Sequence, residues 1–494
     1  MKLGRLAASI LLGAVLLTTT RAQQPQQARR TQVLIVVDGL RPDYVTRDVM
    51  PRLQALGRRG VVFTAHHSVF PTVTRVNAAS IVTGSYPETH GLLGNEIYIP
   101  SVSRTRVLDT GERGDLEAVE RAEGKLLTAP TLGEILQANG RKLAGISSGS
   151  TGSAYLLNHT VSGGALFHTD YTLPKALAPK VLSVLGPPPA HETPNDPQNE
   201  RAMDAYLKLC VDDLKPDVTI IWLNDPDGTA HANGIGAPLT RKSLMLVDGA
   251  IGRLEDGLRA RGVLESTNII VTSDHGFSTE TGELNLQKLV EPFARKLDDG
   301  SQDIVVAEGA IYLRRPDASR VSAIVAALQQ RPEVGAIFTR DGVDGTLSFA
   351  VARWNHARSG DILVSANWTG KANAAGFKGT TTQEGVAGHG TSSPYDVHNT
   401  LIAAGPDFRE HATSSLPTGN VDLAPTLLRL LGITPPSSMT GRVIVEGLRN
   451  GPIAGSQTKG TRVVQSAEGT YTLEAHFSIV GTHRYLDYTE VTRR

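Results

Sequence analysis

Short, unbroken runs of aliphatic residues recur along the chain, and small or polar residues follow them. A run of four to eight such residues is typical of a strand that is buried on both faces of a parallel sheet. The runs lie at residues 33–37, 61–64, 142–146, 218–223, 268–272 and 401–404. Helical patterns lie between them at residues 50–59, 78–83, 131–139, 200–213, 241–261 and 420–431. This alternation predicts an α/β fold with a largely parallel central sheet.

The pattern changes between residues 282 and 377. Strands are predicted there at 303–313, 336–340 and 347–353, with a helix at 318–330. We interpret 282–377 as a small α+β subdomain inserted into a catalytic domain of residues 31–450. Strands predicted within residues 451–494 would pack on its core.

Composition excludes several classes of protein. Of 494 residues, 40% are hydrophobic and 20% are charged, which is typical of a globular protein with a sizeable core. The formal net charge is zero, so no basic track for nucleic acid is indicated. The length and composition leave both a monomer and a homodimer open.

The first residues predict export. Lys2 and Arg5 precede an apolar run at residues 6–17, and Ala22 ends a short polar stretch. This is the pattern of a signal peptide, residues 1–22, which is too short for a permanent membrane span. No other apolar stretch reaches spanning length, so no membrane span is expected after cleavage. An uncleaved N-terminal anchor is the alternative.

The single cysteine, Cys210, excludes an intrachain disulfide and a cysteine-based metal cage. An exported chain without disulfides fits a bacterial periplasm or secretion from a bacterium better than a eukaryotic secretory route. Cys210 itself lies in a helical pattern and is expected to be buried.

Carboxylates and histidines stand where the predicted strands end. Asp38 follows the first strand, Asp274 and His275 follow the strand at 268–272, and Asp227 and His231 follow the strand at 218–223. Ligands of open α/β sheets collect at this edge. Asp227 and His231 are four positions apart, so one helical turn would place both on one face.

A later loop adds His389 between two glycines, which would let its backbone approach a bound ion closely. The assembled donors suffice for two metal sites of three protein ligands each. Two divalent ions a few ångströms apart suit phosphoryl transfer, and the histidines favour two Zn²⁺ over Mg²⁺. Each residue alone is equally well explained as a loop or turn residue.

The stretch Val69 to Asn77, VFPTVTRVN, lies between a predicted strand and a predicted helix. A hydroxyl at such a junction gains the free N–H groups and the positive end of the helix dipole. That position suits a nucleophile that attacks an anionic ester. Thr72 and Thr74 are both candidates, and a simple helix cap is the alternative.

Seven segments in this order are similar to the nucleotide pyrophosphatase/phosphodiesterase family (type I phosphodiesterases) of the alkaline phosphatase superfamily. They read VVDGLRPDY, FPTVTRVN, VTGSYPETHGLLGN, DPDGTAH, SDHGF, GHG and DLAPTLLRLLG. The resemblance covers most of the chain after the signal peptide. It implies an alkaline-phosphatase-like, three-layer α/β/α sandwich and an enzyme that hydrolyses phosphoric esters.

The resemblance also implies residue roles. Thr74, the second threonine of the PTxT motif, would be the nucleophile, and Asn95 would donate to a phosphoryl oxygen. One zinc would be bound by Asp38, Thr74, Asp274 and His275, and the other by Asp227, His231 and His389. The implied mechanism is a double displacement through a phospho-threonine.

The chain departs from the family pattern at the positions that select the substrate. Family diesterases usually follow the nucleophile with a phenylalanine that stacks on a nucleobase, but here Arg75 follows it. Related monoesterases carry a Lys-x-Arg pair, and Gly149 and Thr151 stand in its place. Their lack of charge favours diesters among small-molecule phosphate esters. Arg75 leaves open both whether nucleotides are the substrates and whether the enzyme is instead a phosphomonoesterase.

Other members of the superfamily fit less well. A sulfatase needs a modified cysteine or serine in a C/S-x-P-x-R motif, and Cys210 stands in a different context. A phosphonate hydrolase is a weaker alternative. A non-catalytic metal-binding protein would require the loss of Thr74 or of a ligand, and none is lost.

Overall fold

The computed structural model describes residues 30–452 and 455–494. The predicted signal peptide, residues 1–22, lies outside this part of the chain. Among the described residues, no helix has both the length and the apolar surface to cross a membrane.

A mixed ten-stranded sheet forms the centre of the molecule. From one edge to the other its strands are Ala412–Ser414, Val61–His67, His398–Ala404, Thr267–Thr272, Thr31–Val37, Val218–Leu223, Leu143–Ser147, Ala165–His168 and Thr172–Leu173, and Thr418–Gly419 also pairs with Val61–His67. All run in one direction except His398–Ala404 and Thr172–Leu173. The sheet is therefore largely parallel, as predicted.

Helices cover both faces of this sheet, because its central strands are apolar on both sides. In the strand Thr31–Val37, Leu34 and Val36 face one core and Val33 and Ile35 face the other. The first core includes the helices Thr74–Thr83, Arg113–Glu123, Leu132–Ala138, Thr151–Leu157 and Leu423–Leu430. The second includes Pro51–Arg59, Ala178–Leu185, Asp196–Asp204, Ala205–Leu214 and Pro238–Ala260. This is the expected three-layer α/β/α sandwich.

Several helices begin earlier than the apolar pattern indicates. The helix predicted at 241–261 begins at Pro238, and proline suits the first helical turn, whose N–H groups have no intrahelical partner. The helix predicted at 200–213 begins at Asp196 and continues as a π-helix over Ala205–Leu214. The helix predicted at 78–83 begins at Thr74, so the threonine lies in its first turn.

Residues 304–366 form a five-stranded sheet beside the main one. Its order is Ile304–Ala307, Ala310–Leu313, Ile362–Ala366, Val334–Thr339 and Leu347–Ser348, and the helix Ala318–Gln329 accompanies it. The strand predicted at 347–353 is only two residues long. The central strand of this sheet is Ile362–Ala366, which was not predicted.

Smaller elements connect the main strands and flank the main sheet. A four-stranded sheet contains Trp368–Ala372, Lys378–Gln383, Ser278–Leu284 and Ala387–Gly388. A two-stranded sheet pairs Glu96–Ile97 with Leu108–Asp109. Short α-helices lie at Pro87–His90, Asp227–Asn233, Leu286–Val290 and Pro394–Val397, and 3-10 turns at Pro42–Tyr44, Lys175–Leu177, Leu264–Ser266, Glu291–Phe293, Asn420–Asp422 and Val445–Gly447.

The C-terminal strands Thr458–Gln465, Tyr471–Val480 and His483–Arg493 form an antiparallel sheet. A buried ion pair joins this sheet to the catalytic core. The Asp487 carboxylate lies 2.8 Å from His67 Nε2 and accepts from Lys459 Nζ at 3.0 Å and from Ser478 Oγ at 2.7 Å. His67 ends the strand that leads to the nucleophile candidates, so the C-terminal sheet supports that strand directly.

Replacing Asp487 with asparagine should lower the free energy of unfolding by about 3 kcal/mol near neutral pH, because the buried His67 and the Lys459 amine lose the carboxylate that they contact. Burial alone would raise the pKa of Asp487, but His67, Ser478 and Lys459 outweigh it and hold this pKa well below its usual value. The stabilisation is therefore present above the unfolded-state pKa of about 4 and declines as the pH falls below it. Urea unfolding of both proteins across pH measures the difference.

Glu490→Gln is the matched control, because Glu490 is exposed on the same strand. It removes the same charge and should change stability by less than about 0.5 kcal/mol. Equal effects of the two substitutions at neutral pH would contradict a stabilising role for the buried pair.

Candidate active site

The predicted ligand residues meet at one edge of the central sheet. The strands Thr267–Thr272, Thr31–Val37 and Val218–Leu223 are adjacent and parallel, so their carboxyl ends lie side by side. Asp274, Asp38 and Asp227 follow these three ends. The antiparallel strand His398–Ala404 begins at the same edge, and the loop before it brings His389 there.

Asp38, Asp274 and His275 form a deeply buried group. His275 Nε2 lies 3.1 Å from Asp274 Oδ2 and 3.4 Å from Asp38 Oδ1. Thr74 Oγ1 lies 3.3 Å from the same nitrogen. The four side chains predicted to share one zinc are therefore brought together.

Asp227, His231 and His389 form a second group. Asp227 Oδ1 lies 3.2 Å from His231 Nε2 and 3.4 Å from His389 Nε2. Asp227 begins the helix Asp227–Asn233, and that helical turn places His231 on the same face, as the spacing predicted. The His231 side chain is 43% exposed, so this group opens to solvent while the first is closed.

The two groups lie beside each other. The rings of His275 and His389 stack with centroids 3.5 Å apart. Burial and the neighbouring His275 lower the pKa of His389 to about 4. His389 is therefore neutral near pH 7, the form in which imidazole binds a metal.

The donor atoms fit metal ions. Each group has its possible ligand atoms within 4.8 Å of one another. Within the described residues, Asp38 Oδ1, Asp274 Oδ2 and Asp227 Oδ1 are buried and accept no hydrogen bond. A buried carboxylate oxygen without a partner is costly, and a bound cation would remove that cost.

The three histidines are also oriented for metal binding. Nδ1 of His275, His231 and His389 lies 2.8 to 2.9 Å from the backbone oxygens of Gly276, Ala387 and Thr72. Each Nδ1 must carry the proton, because a carbonyl can only accept. Nε2 is then the ring nitrogen that each histidine would offer to a metal ion.

Clustering of three carboxylates changes their ionisation. Burial, and then the charge of Asp274, raise the pKa of Asp38 well above its usual value. Burial and the charge of Asp227 raise the pKa of Asp274 to about 7. Burial acts in the same direction on Asp227, but His231 and His389 outweigh it and hold the pKa of Asp227 well below its usual value. The pocket thus concentrates negative charge that cations would neutralise.

The two threonines of the VFPTVTRVN stretch have different surroundings. Thr72 Oγ1 donates to the Thr391 oxygen at 2.7 Å and accepts from Gly390 N at 3.1 Å. Thr72 is thus a structural residue that supports the His389 loop. Thr74 has no such backbone partner, and its hydroxyl faces His275 in the first turn of a helix that lacks a side-chain cap.

Asn95 and Arg75 lie next to Thr74. The Arg75 backbone N–H donates to Asn95 Oδ1 at 3.1 Å. Because the carbonyl end of the Asn95 amide is engaged in this way, its NH₂ group is left to donate elsewhere. The Arg75 guanidinium lies 3.8 Å from Asp109, beyond hydrogen-bond distance, and its buried Nε has no partner among the described residues.

Residues 149–151, where related monoesterases carry a Lys-x-Arg pair, have no positively charged side chain. Thr151 Oγ1 donates to the Gly111 oxygen at 3.1 Å and accepts from Arg113 N at 3.1 Å. The Arg113 guanidinium instead donates to Glu117 and stacks on Tyr171. Positions 149 and 151 therefore provide local packing and no charge for a phosphoryl group.

Supporting residues were missed by sequence reasoning. Trp222 Nε1 donates to Asp38 Oδ2 at 2.9 Å, because Trp222 pairs with Val36 in the adjacent strand. Asn420 Nδ2 donates to the backbone oxygen of Asp274 at 2.8 Å and to Asn77 Oδ1 at 3.0 Å. Asn77 lay in a recognised motif, and a lone tryptophan in an aliphatic run was the signal for Trp222.

His67, His398 and Asp487 form a third group of donor atoms within 4.8 Å. Here the carboxylate is already engaged by Lys459 and Ser478. A protonated amine on the carboxylate disfavours a metal cation, so this group serves as an ion pair.

The sequence of residues 32–391 matches a family described as type I phosphodiesterase / nucleotide pyrophosphatase. The chain belongs to this family. The match confirms the family and the enzyme class expected from the sequence, hydrolases of phosphoric ester bonds.

Three human family members are 23 to 28% identical to this chain over the matched residues. Human ectonucleotide pyrophosphatase/phosphodiesterase family member 5 is 24% identical over 87% of this chain and 80% of its own length. Human bis(5'-adenosyl)-triphosphatase is 23% identical over 86% of this chain and 83% of its own. Family member 1 from human is 28% identical over 49% of this chain, and the match spans only 23% of that longer protein.

The fold also matches a family structure. Murine ectonucleotide pyrophosphatase/phosphodiesterase 5, solved as an inactive variant in complex with AMP, superposes with a TM-score of 0.59. The match covers 82% of this chain and 96% of that one at 19% identity. It confirms the alkaline-phosphatase-like fold.

Proposed function

We propose that the protein is a two-zinc phosphodiesterase of the nucleotide pyrophosphatase type with Thr74 as its nucleophile. The observation that carries this proposal is the position of the Thr74 hydroxyl at an uncapped helix start, 3.3 Å from His275 and beside two groups of metal-ligand side chains. Three histidines among the seven proposed ligands favour zinc over magnesium.

Asp38, Asp274, His275 and Thr74 would hold one zinc, and Asp227, His231 and His389 the other. Zinc bound in these groups would lower the pKa of the Thr74 hydroxyl and neutralise charge on the leaving oxygen. Thr74 Oγ1 attacks phosphorus, the bond to the leaving alcohol or nucleotide breaks, and water hydrolyses the phospho-threonine. Asn95 donates from its NH₂ group to a non-bridging phosphoryl oxygen.

Diesters are favoured because the site lacks the two cations with which related monoesterases bind extra charge. Thr151 turns its hydroxyl to a backbone oxygen, and Gly149 has no side chain. A phosphodiester carries one negative charge near neutral pH, so it needs less compensation than a dianionic monoester. The similarity to a bis(5'-adenosyl)-triphosphatase supports nucleotide-containing esters as substrates.

A phosphomonoesterase is the second candidate, and Arg75 favours it. Its guanidinium is adjacent to the nucleophile and only loosely paired with Asp109. Arginine can bind two phosphoryl oxygens at once.

Comparison of three substrates decides between these functions. We expect kcat/KM for bis-p-nitrophenyl phosphate and the p-nitrophenyl ester of thymidine 5'-monophosphate to exceed that for p-nitrophenyl phosphate by about tenfold or more. Initial rates of nitrophenolate release with zinc-loaded protein provide the measurement. A preference for the monoester would reverse the assignment.

We infer that the enzyme acts in the periplasm or outside a bacterial cell, because residues 1–22 carry the signal-peptide pattern. Sequencing the N-terminus of protein from a periplasmic extract tests this inference. A start at Gln23 is expected, and a start at Met1 would oppose cleavage.

A further inference from the structure

One turn of the inserted subdomain reaches the loop that carries Asn95. Glu308 lies in the turn between the hairpin strands Ile304–Ala307 and Ala310–Leu313. Its backbone has a φ of +52°, in the left-handed region that disfavours side chains. Glycine would avoid this backbone strain. A glutamate at this strained position therefore points to a role for its side chain.

That side chain contacts the loop of the phosphoryl-oxygen donor. Glu308 Oε2 accepts from the Asn95 backbone N–H at 2.8 Å. The approach is close, since a Cβ atom on Gly94 would lie 3.0 Å from the same oxygen. Asn95 in turn accepts from the Arg75 backbone N–H, which is adjacent to Thr74. A carboxylate of the insertion is thus two contacts away from the nucleophile's helix.

The charges around this contact are mainly negative. Glu308 interacts electrostatically with Arg75 and with Glu96. Asp109 also lies on the Arg75 side, at 3.8 Å from its guanidinium. Two carboxylates, Glu308 and Asp109, therefore interact with the Arg75 guanidinium and offset the positive charge that it can offer a phosphoryl group.

We propose that Glu308 is a specificity-determining residue that selects phosphodiesters over phosphomonoesters by repelling a second phosphoryl charge, and that it also positions Asn95. The proposal rests on the proposed function. It assigns the insertion a role in substrate choice, and it explains how Arg75 can be present without making the enzyme a monoesterase.

Glu308→Gln separates the charge from the hydrogen bond, because glutamine keeps an oxygen that can accept from Asn95 N. We expect the ratio of kcat/KM for bis-p-nitrophenyl phosphate to that for p-nitrophenyl phosphate to fall about tenfold, mainly because the monoester is turned over faster. The shift should shrink at high ionic strength, as expected for a charge effect. Glu308→Ala also loses the hydrogen bond and should lower kcat for both esters.

Asp298→Asn is the matched control, since Asp298 is a fully exposed carboxylate of the same insertion. It should leave the ratio unchanged. A Glu308→Gln ratio within twofold of the wild-type ratio would overturn this proposal while leaving the phosphodiesterase assignment intact. A zinc-loaded wild-type protein that hydrolyses none of the esters would instead overturn the proposed function.

Discussion

Replacing Thr74 with alanine is expected to lower kcat for bis-p-nitrophenyl phosphate by about four orders of magnitude or more. In the proposed function this hydroxyl is the attacking group, and the other hydroxyl of the motif cannot replace it, because Thr72 is bonded to Thr391 and Gly390. Steady-state rates with zinc-loaded protein measure the loss. Circular dichroism and zinc content should remain close to those of the wild type.

Thr74→Ser is the matched control for this prediction. Serine keeps the attacking oxygen and should retain far more activity than alanine. In the wild type, rapid quenching during turnover should trap a phosphorylated peptide that contains Thr74. Alanine activity above about one per cent of wild type, with bound zinc, would refute the nucleophile assignment.

Removal of metal is expected to abolish turnover and to lower the unfolding temperature. Asp38, Asp274 and Asp227 each present a buried oxygen without a hydrogen bond among the described residues. A cation that binds only the folded state stabilises it by about 4 kcal/mol when its concentration is a thousand times Kd. Dialysis against EDTA followed by calorimetry and activity assays measures both effects.

Zinc added back should restore both properties, and magnesium should restore neither fully. The Thr74→Ala variant provides a control, because it keeps six of the seven ligand side chains and should show nearly the same thermal shift without activity. Full activity in a chelated, metal-free preparation would exclude the two-metal mechanism.

The sequence was informative about this site because parallel sheets gather strand ends. Asp38 and Asp274 follow aliphatic runs directly, and the fold then places those runs side by side. The four-residue spacing of Asp227 and His231 became one helical turn. Local patterns therefore predicted the candidate ligands and paired Asp227 with His231 and Asp274 with His275. The assignment of the remaining candidates to these two pairs came from family resemblance.

Other features depend on tertiary contacts that no local pattern encodes. Glu308 lies 213 positions from Asn95 and meets it only because the inserted hairpin folds back onto the loop. The strand order of the inserted sheet likewise depends on its central strand, Ile362–Ala366. Its partners are Ala310–Leu313 and Val334–Thr339, which lie far from it in the sequence. The helix that starts at Thr74 was placed too late because its first turn is polar and carries no apolar pattern.

The contact between His67 and Asp487 joins residues that are 420 positions apart. Because a ribosome makes the chain from its N-terminus, the strand that precedes Thr74 lacks this partner until 420 further residues have been added. Closing so long a loop is entropically costly and is stabilised only by the final contacts. Completion of the surroundings of Thr74 is thus tied to synthesis of the strand His483–Arg493, so partial chains that stop before this strand would lack the finished support of the candidate site.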